Sequence, residues 1–190
     1  MRKIVAGLFI SLDGVVEAPD QWHFPYFSDD MGEVVGGQMA ETDTMLLGRH
    51  TYEAFAEYWP HQSSDVPPAD FMNGVQKVVV STTLDKATWE PTTIIGGDVN
   101  AQLTALKAQP GKDISITGSP TLVRTLLRDG LLDELRLLVH PIVVGRGQRL
   151  FDETAESIGL ALVSSRAIAN GVLELVYAPA PIPASQSPEA

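Results

Sequence analysis

The sequence predicts one α/β domain on a mostly parallel central sheet flanked by helices, closed by a C-terminal antiparallel hairpin. Three observations carry this. Ile4 to Ile10 is an unbroken apolar run, the pattern of a strand covered on both faces. Short strand-like runs then alternate with helical stretches as far as Arg128, as in sheets whose parallel strands are linked by helices. Near the end, Leu160 to Ala167 and Val172 to Tyr177 flank Asn170-Gly171, a strong hairpin signal.

The elements follow in order. Residues 15 to 28 form a loop rich in proline and aromatic residues. Ser28 can cap a helix that opens with Asp29 and Asp30, acids suited to a positive helix end, and runs to about Glu41. Thr44 to Leu47 reads as a strand ending at Gly48, followed by a helical stretch from Thr51 to Tyr58. Residues 60 to 74, with Pro67 and Pro68, read as a surface loop. Lys77 to Ser81 and Thr92 to Ile95 are strands, Val99 to Lys107 a helix, Ile114 to Thr117 a strand, and Thr121 to Arg128 a helix ended by Gly130. Leu135 to Val144 reads as a long strand interrupted by Pro141. Residues 1–177 thus form one domain, and the Ala, Pro, Ser and Gln of 178–190 predict a disordered tail.

The 190 residues fit the usual ~100–200 of a single domain. Thirteen basic against 24 acidic residues give a net charge of −11, which disfavours nucleic acid and anionic membrane surfaces as partners. The absence of cysteine excludes disulfides, thiol nucleophiles and cysteine-based zinc sites. Arg2 and Lys3 precede an apolar run shorter than the ~18 residues of a membrane span. Ser11-Leu12-Asp13-Gly14 after it does not resemble a cleavage site, so a cytoplasmic protein is expected.

Ligands of such sheets bind beyond the carboxyl ends of the strands. Three strand ends here carry related chemistry. Gly48-Arg49-His50-Thr51 turns straight from strand to helix, where backbone N–H groups, Arg49 and Thr51 can grip a phosphate. Ser81, Thr82 and Thr83 place hydroxyls at the end of a buried strand. Thr117-Gly118-Ser119-Pro120-Thr121 again offers a helix start to an anion. Each turn alone is ordinary helix capping; the three together suit a long ligand with several phosphates. The spaced-glycine dinucleotide fingerprint is absent.

These segments, with Ser11-Leu12-Asp13-Gly14, Gly48-Arg49-His50-Thr51-Tyr52-Glu53 and Gly130-Leu131-Leu132-Asp133-Glu134-Leu135-Arg136-Leu137 continuing through Pro141, Gly145, Gly147, Leu150 and Phe151, resemble the dihydrofolate reductase-like family. The resemblance is specifically to the reductase domain of bacterial riboflavin-biosynthesis deaminase–reductases and its stand-alone relatives, and it spans residues 1 to about 177. It implies an NADPH-dependent reductase, with NADH as the other candidate cofactor, acting on a substrate like 5-amino-6-(5-phosphoribosylamino)uracil, and a homodimer. By the same resemblance Gly48, Arg49 and Thr51 would hold the pyrophosphate and the adenosine side. Ser81 and Thr82 would sit near the adenosine ribose phosphate, and Thr117, Gly118, Ser119 and Thr121 would cradle the pyrophosphate from the other side. Asp13 and Gly14 would lie at the nicotinamide, with Asp13 a catalytic or substrate-orienting acid or simply a turn former. Residues 15 to 25 would be the loop over it, with Trp22 and Phe24 as a ring pocket or as packing under the loop.

Two departures stand out. Relatives often place an arginine where this chain has Thr82, which bears on NADPH against NADH. The buried carboxylate that dihydrofolate reductases carry falls here around Phe27, with Asp29 and Asp30 nearby as capping acids. A folate or pterin reductase is therefore one rival reading, and a catalytically silent dinucleotide-binding module another. Glu134 and Arg136 share a strand face and read as a charged pair guarding an edge. His140 reads as a satisfied core histidine. His23, His50 and His61 lack metal-site spacing, so no metal is expected.

Overall fold

A computed structural model describes residues 1–151 and 157–182. In chain order the elements are β1 (Ile4–Ser11), α1 (Asp29–Ala40), β2 (Thr42–Gly48), α2 (Arg49–Tyr58), α3 (Ala69–Gly74), β3 (Gln76–Val80) and β4 (Thr92–Ile95). They continue with α4 (Val99–Ala108), β5 (Asp113–Thr117), α5 (Pro120–Arg128), β6 (Glu134–His140), β7 (Leu160–Ala167) and β8 (Leu173–Pro179). One eight-stranded sheet runs β4-β3-β2-β5-β1-β6-β8-β7, parallel through β6 and antiparallel in its last two pairings.

The apolar run of β1 is explained by its place. It pairs with β5 on one side and β6 on the other, and all its residues are buried or half-buried. Alternate residues Ile4, Ala6 and Leu8 pack with Leu103 of α4 and Val123 and Leu126 of α5 on one face. On the other face α1 packs through Met31 and Val34, while α2 and α3 cover β2 and β3 through Tyr52 and Met72. Ser28 accepts a hydrogen bond from the Met31 N–H, the N-cap its sequence position predicts. In the closing hairpin Asn170 and Gly171 both take left-handed backbone angles, φ 59° and 76°, as a two-residue turn requires.

Four expectations change. The loop expected over 60–74 contains α3, whose six residues are too few to show helical periodicity although Ala69 and Met72 are buried. The strand expected to reach Val144 ends at His140, because Pro141 has no N–H to give the ladder. β6 is interior, between β1 and β8, so Glu134 and Arg136 guard no edge. The open edge on that side is β7, where Leu162 and Val163 are exposed. Finally, β8 continues through Ala178 and Pro179, which pair with Ala161 and Leu160, so the tail boundary after Tyr177 shifts. Residues 183–190 of the expected tail lie outside the described residues. Among the described residues no helix is long and apolar enough to cross a membrane.

Candidate functional site

The strand order brings the first and third strand-end segments together, because β2 and β5 are neighbours. Ser119 Oγ accepts a hydrogen bond from the Gly48 N–H at 2.9 Å and donates one to Thr51 Oγ1 at 2.8 Å; the Ser119 N–H also donates to Thr51 Oγ1 at 3.2 Å. Gly118 has φ +71°, and a Cβ there would stand 3.1 Å from Thr51 Cγ2. Gly48 and Ser119 are the N-cap residues of α2 and α5, and neither helix start has a side-chain cap. Two sets of outward backbone N–H groups and two positive helix ends therefore lie side by side. That donor set fits the diphosphate of a dinucleotide, for which helix N-termini are ready-made anion sites.

The neighbouring positions are less open. Arg49 lies at the start of α2 but its guanidinium meets Glu53 at 3.0 Å and His50 at 2.7 Å. Thr121 Oγ1 accepts from Arg124 at 3.2 Å. In β3, Val80 is in register with Gly48, so Ser81 and Thr82 follow at the same end of the sheet. Ser81 Oγ accepts from the N–H groups of Thr83 and Leu84, fixing a turn, and its carbonyl would stand 2.9 Å from a Cβ on Gly96, so only glycine fits there. Thr82 is exposed.

Asp13 fastens two loops. Its carboxylate accepts from Ser11 Oγ at 2.6 Å and from the N–H groups of Val144 and Gly145 at 3.0 and 2.8 Å, with Arg149 at 3.6 Å. The Ser11 hydrogen bond foremost, then that of Val144, lowers its pKa to about 2, so the group is ionised at neutral pH. Its neighbour Gly14 accepts the Leu150 N–H through its carbonyl, and the segment 142–150 lies strapped across the end of β1. Asp13→Ala should leave the amides of Val144 and Gly145 exchanging with solvent faster at neutral pH while the β1 amides stay protected. Unchanged exchange at 144 and 145 would show that the strap does not depend on this carboxylate.

The loop between β1 and α1 is pinned by aromatic residues. Trp22 is buried and donates its indole N–H to the Glu17 carbonyl. His23 lies between Phe9 and Phe24, with ring centroids at 4.6 and 4.2 Å, and Phe24 is exposed on the outside. His140 is fully buried, and its Nδ1 donates to the Leu138 carbonyl at 2.8 Å. Its Nε2 and the Nδ1 of His23 are buried without a hydrogen-bond partner, and burial lowers both pKa values. His140 is thus a core histidine, as the sequence suggests. Asp30 bonds the Ala169 N–H in the closing hairpin, and Phe27 stands half exposed where a dihydrofolate reductase would carry its acid.

A groove on the α1 face crosses the sheet between α1 and α3, floored by Gly7, Ser115 and Thr117. Gln38 of α1 reaches over its floor. The sequence carries no signal for Gln38, since a glutamine in an amphipathic helix has no pattern of its own.

The chain matches the RibD C-terminal domain over residues 2–174, nearly all of it. It belongs to that family. The protein YyaP of Bacillus subtilis is similar to it, 29% identical over 180 residues that cover 93% of this chain and 94% of the relative. Among solved structures, the Thermotoga maritima diaminohydroxyphosphoribosylaminopyrimidine deaminase/5-amino-6-(5-phosphoribosylamino)uracil reductase aligns with a TM-score of 0.66 at 11% identity, covering 94% of this chain and 57% of that one. Dihydrofolate reductase from Enterococcus faecalis, complexed with NADP(H), aligns with a TM-score of 0.61 at 16% identity, covering 93% of this chain and 96% of that one. This RibD C-terminal domain therefore has the dihydrofolate reductase-like fold.

Proposed function

We propose that this chain is an NAD(P)H-dependent reductase of a small aminopyrimidine-type heterocycle. The carrying observation is the convergence of Gly48, Thr51, Gly118 and Ser119 at two helix starts without side-chain caps. When bound, the nicotinamide supplies a hydride to an electrophilic carbon of the substrate, and a proton goes to the adjoining heteroatom. The chain's own part is to bind and orient. The N–H groups at the α2 and α5 starts hold the diphosphate, with Ser119 and Thr51 fixing the spacing between them. Asp13 keeps the strap of residues 142–150 in place at the end of β1, and as an ionised carboxylate it orients groups there instead of donating a proton. The aromatic loop from Val15 to Phe27 excludes water. The engaged Asp30 and the phenyl ring at Phe27 favour the pyrimidine over the pterin reading.

Calorimetric titration with NADPH and with NADH, followed by dinucleotide oxidation in the presence of 5-amino-6-(5-phosphoribosylamino)uracil or dihydrofolate, tests this. Saturable binding with oxidation driven by the pyrimidine is expected. Failure of both dinucleotides to bind would overturn the reading, and binding without oxidation by either substrate would favour the silent module.

A further inference from the structure

The groove on the α1 face has a polarity that bears on its occupant. Thr117, Gly7 and Arg136 stand in register on the adjacent strands β5, β1 and β6, so they form one row across the sheet. Ser115 and Val5 form the next row. Above Gly7 lies the side-chain amide of Gln38: its Oε1 is 2.6 Å from where a Cβ on residue 7 would stand, so the bare backbone is what makes room for it. Phe71 and Met72 give an apolar wall on the α3 side. The enclosed space is small, about 80 Å³, and opens to solvent at its mouth. The groove also touches the dinucleotide site, since Thr117 lines it and Gly118 follows directly in the chain.

Its neutral hydrogen-bonding side chains include Gln38, Ser115, Thr117 and Thr42, the two threonine hydroxyls donating to the Gly7 and Gln38 carbonyls and keeping acceptor capacity. Its cation is already matched. Arg136 donates from Nε to Glu134 Oε1 at 2.6 Å and from Nη1 to Glu41 Oε2 at 2.9 Å, and Glu134 also receives Lys3 Nζ at 3.3 Å. Glu41 and Asp113 line the groove alongside Arg136, so its charged lining is net negative. A phosphate entering here would meet two carboxylates beside a guanidinium that already has two carboxylate partners. An uncharged ring with an amide-like edge meets an amide, hydroxyls and an apolar wall.

We infer that the groove beneath Gln38 is the substrate site of the proposed reductase and that it selects an uncharged heterocycle over its phosphorylated counterpart. This rests on the reductase reading but is separable from it. The test is calorimetric titration of the intact protein, saturated with NADP⁺ so that no turnover occurs, with 5-amino-6-(5-phosphoribosylamino)uracil and with the same compound lacking its phosphate. The dephosphorylated probe is expected to bind more tightly by roughly tenfold or more, the scale of a like-charge juxtaposition. Gln38→Ala should weaken that binding, and Glu41→Gln should narrow the gap by improving the phosphorylated probe, with NADP⁺ affinity unchanged in both variants. Gly7→Ala, which pushes the Gln38 side chain aside, should act like Gln38→Ala. Equal or tighter binding of the phosphorylated probe would overturn the inference and leave the reductase reading standing. Binding of neither probe, with NADP⁺ bound, would overturn it too. If NADP⁺ itself fails to bind, the reductase reading falls, and the two probes titrated into the free protein still decide the preference of the groove.

Discussion

Gly118→Ala should weaken NADPH binding by roughly 10- to 100-fold, corresponding to about 1.4–2.8 kcal/mol. Two effects add. At φ +71° an alanine is held in the left-handed region, at a cost on the order of 1–2 kcal/mol to the folded chain. Its Cβ would also stand 3.1 Å from Thr51 Cγ2 and 3.4 Å from Thr51 Oγ1, so Thr51 must move. Thr51 Oγ1 accepts both hydrogen bonds from Ser119, and moving it uncouples the α2 and α5 starts that the diphosphate must bridge. Gly130→Ala is the matched control. It shares the strain, at φ +70°, but a Cβ there meets nothing within 4 Å and the residue lies at the far end of α5. It should lower the melting temperature without changing dinucleotide affinity. If Gly118→Ala binds NADPH as tightly as the parent, the crossing of these two strand ends is not the cofactor site.

The second large effect is on stability against pH, and it comes from Lys77. This lysine is fully buried on β3, its Nζ donating to the carbonyls of Val75 at 2.8 Å and Asn73 at 3.3 Å and standing 4.2 Å over the Trp89 ring. Burial pushes its pKa from 10.5 down to about 8, against a weaker opposing pull from Glu90. Below about pH 8 the lysine is charged in both the folded and the unfolded chain, and the cost of burying the charge is fully felt. Between about 8 and 10.5 the folded chain loses its proton first, so the unfolded chain binds more protons and stability rises with pH. The gain over that window is roughly 3 kcal/mol, at about 1.4 kcal/mol per pKa unit. Lys77→Met cannot titrate, so the difference between the parent and variant unfolding curves should climb across this window, while tyrosines and other groups cancel. A flat difference from pH 7 to 11 would show that the lysine keeps an ordinary pKa in the folded protein.

Much of the fold was legible because its punctuation is local. Pro91 bounds β4 and Asn170-Gly171 closes the hairpin, so Thr92–Ile95 and Leu160–Ala167 are found where the pattern puts them. The glycines at 48 and 118 mark strand-to-helix turns for the same reason. Their meeting was not local: β2 and β5 become neighbours only through the strand order, which no short segment encodes. Lys77 only opens a strand in the sequence, because its burial is a property of the assembled sheet. Gln38 owes its position to the missing side chain of Gly7 on another element. Arg49 is a different case. Its engagement by Glu53, one helical turn on, is an i,i+4 pairing that was there to be read, and it tempers the part a free guanidinium would take in phosphate binding.

The place of β1 has a consequence for how the chain is made. Ile4 pairs with Ile114 and Val5 with Glu134, so both neighbours of the first strand lie more than a hundred residues downstream. During synthesis the apolar run from Ile4 to Ile10 leaves the ribosome long before either partner exists. Contacts of such sequence separation close slowly, and a bare apolar strand that waits for them is open to wrong pairings. The first strand must therefore be kept from wrong pairings while β2, β3 and β4 can already join one another, so the yield of this protein should respond to translation speed and chaperone supply.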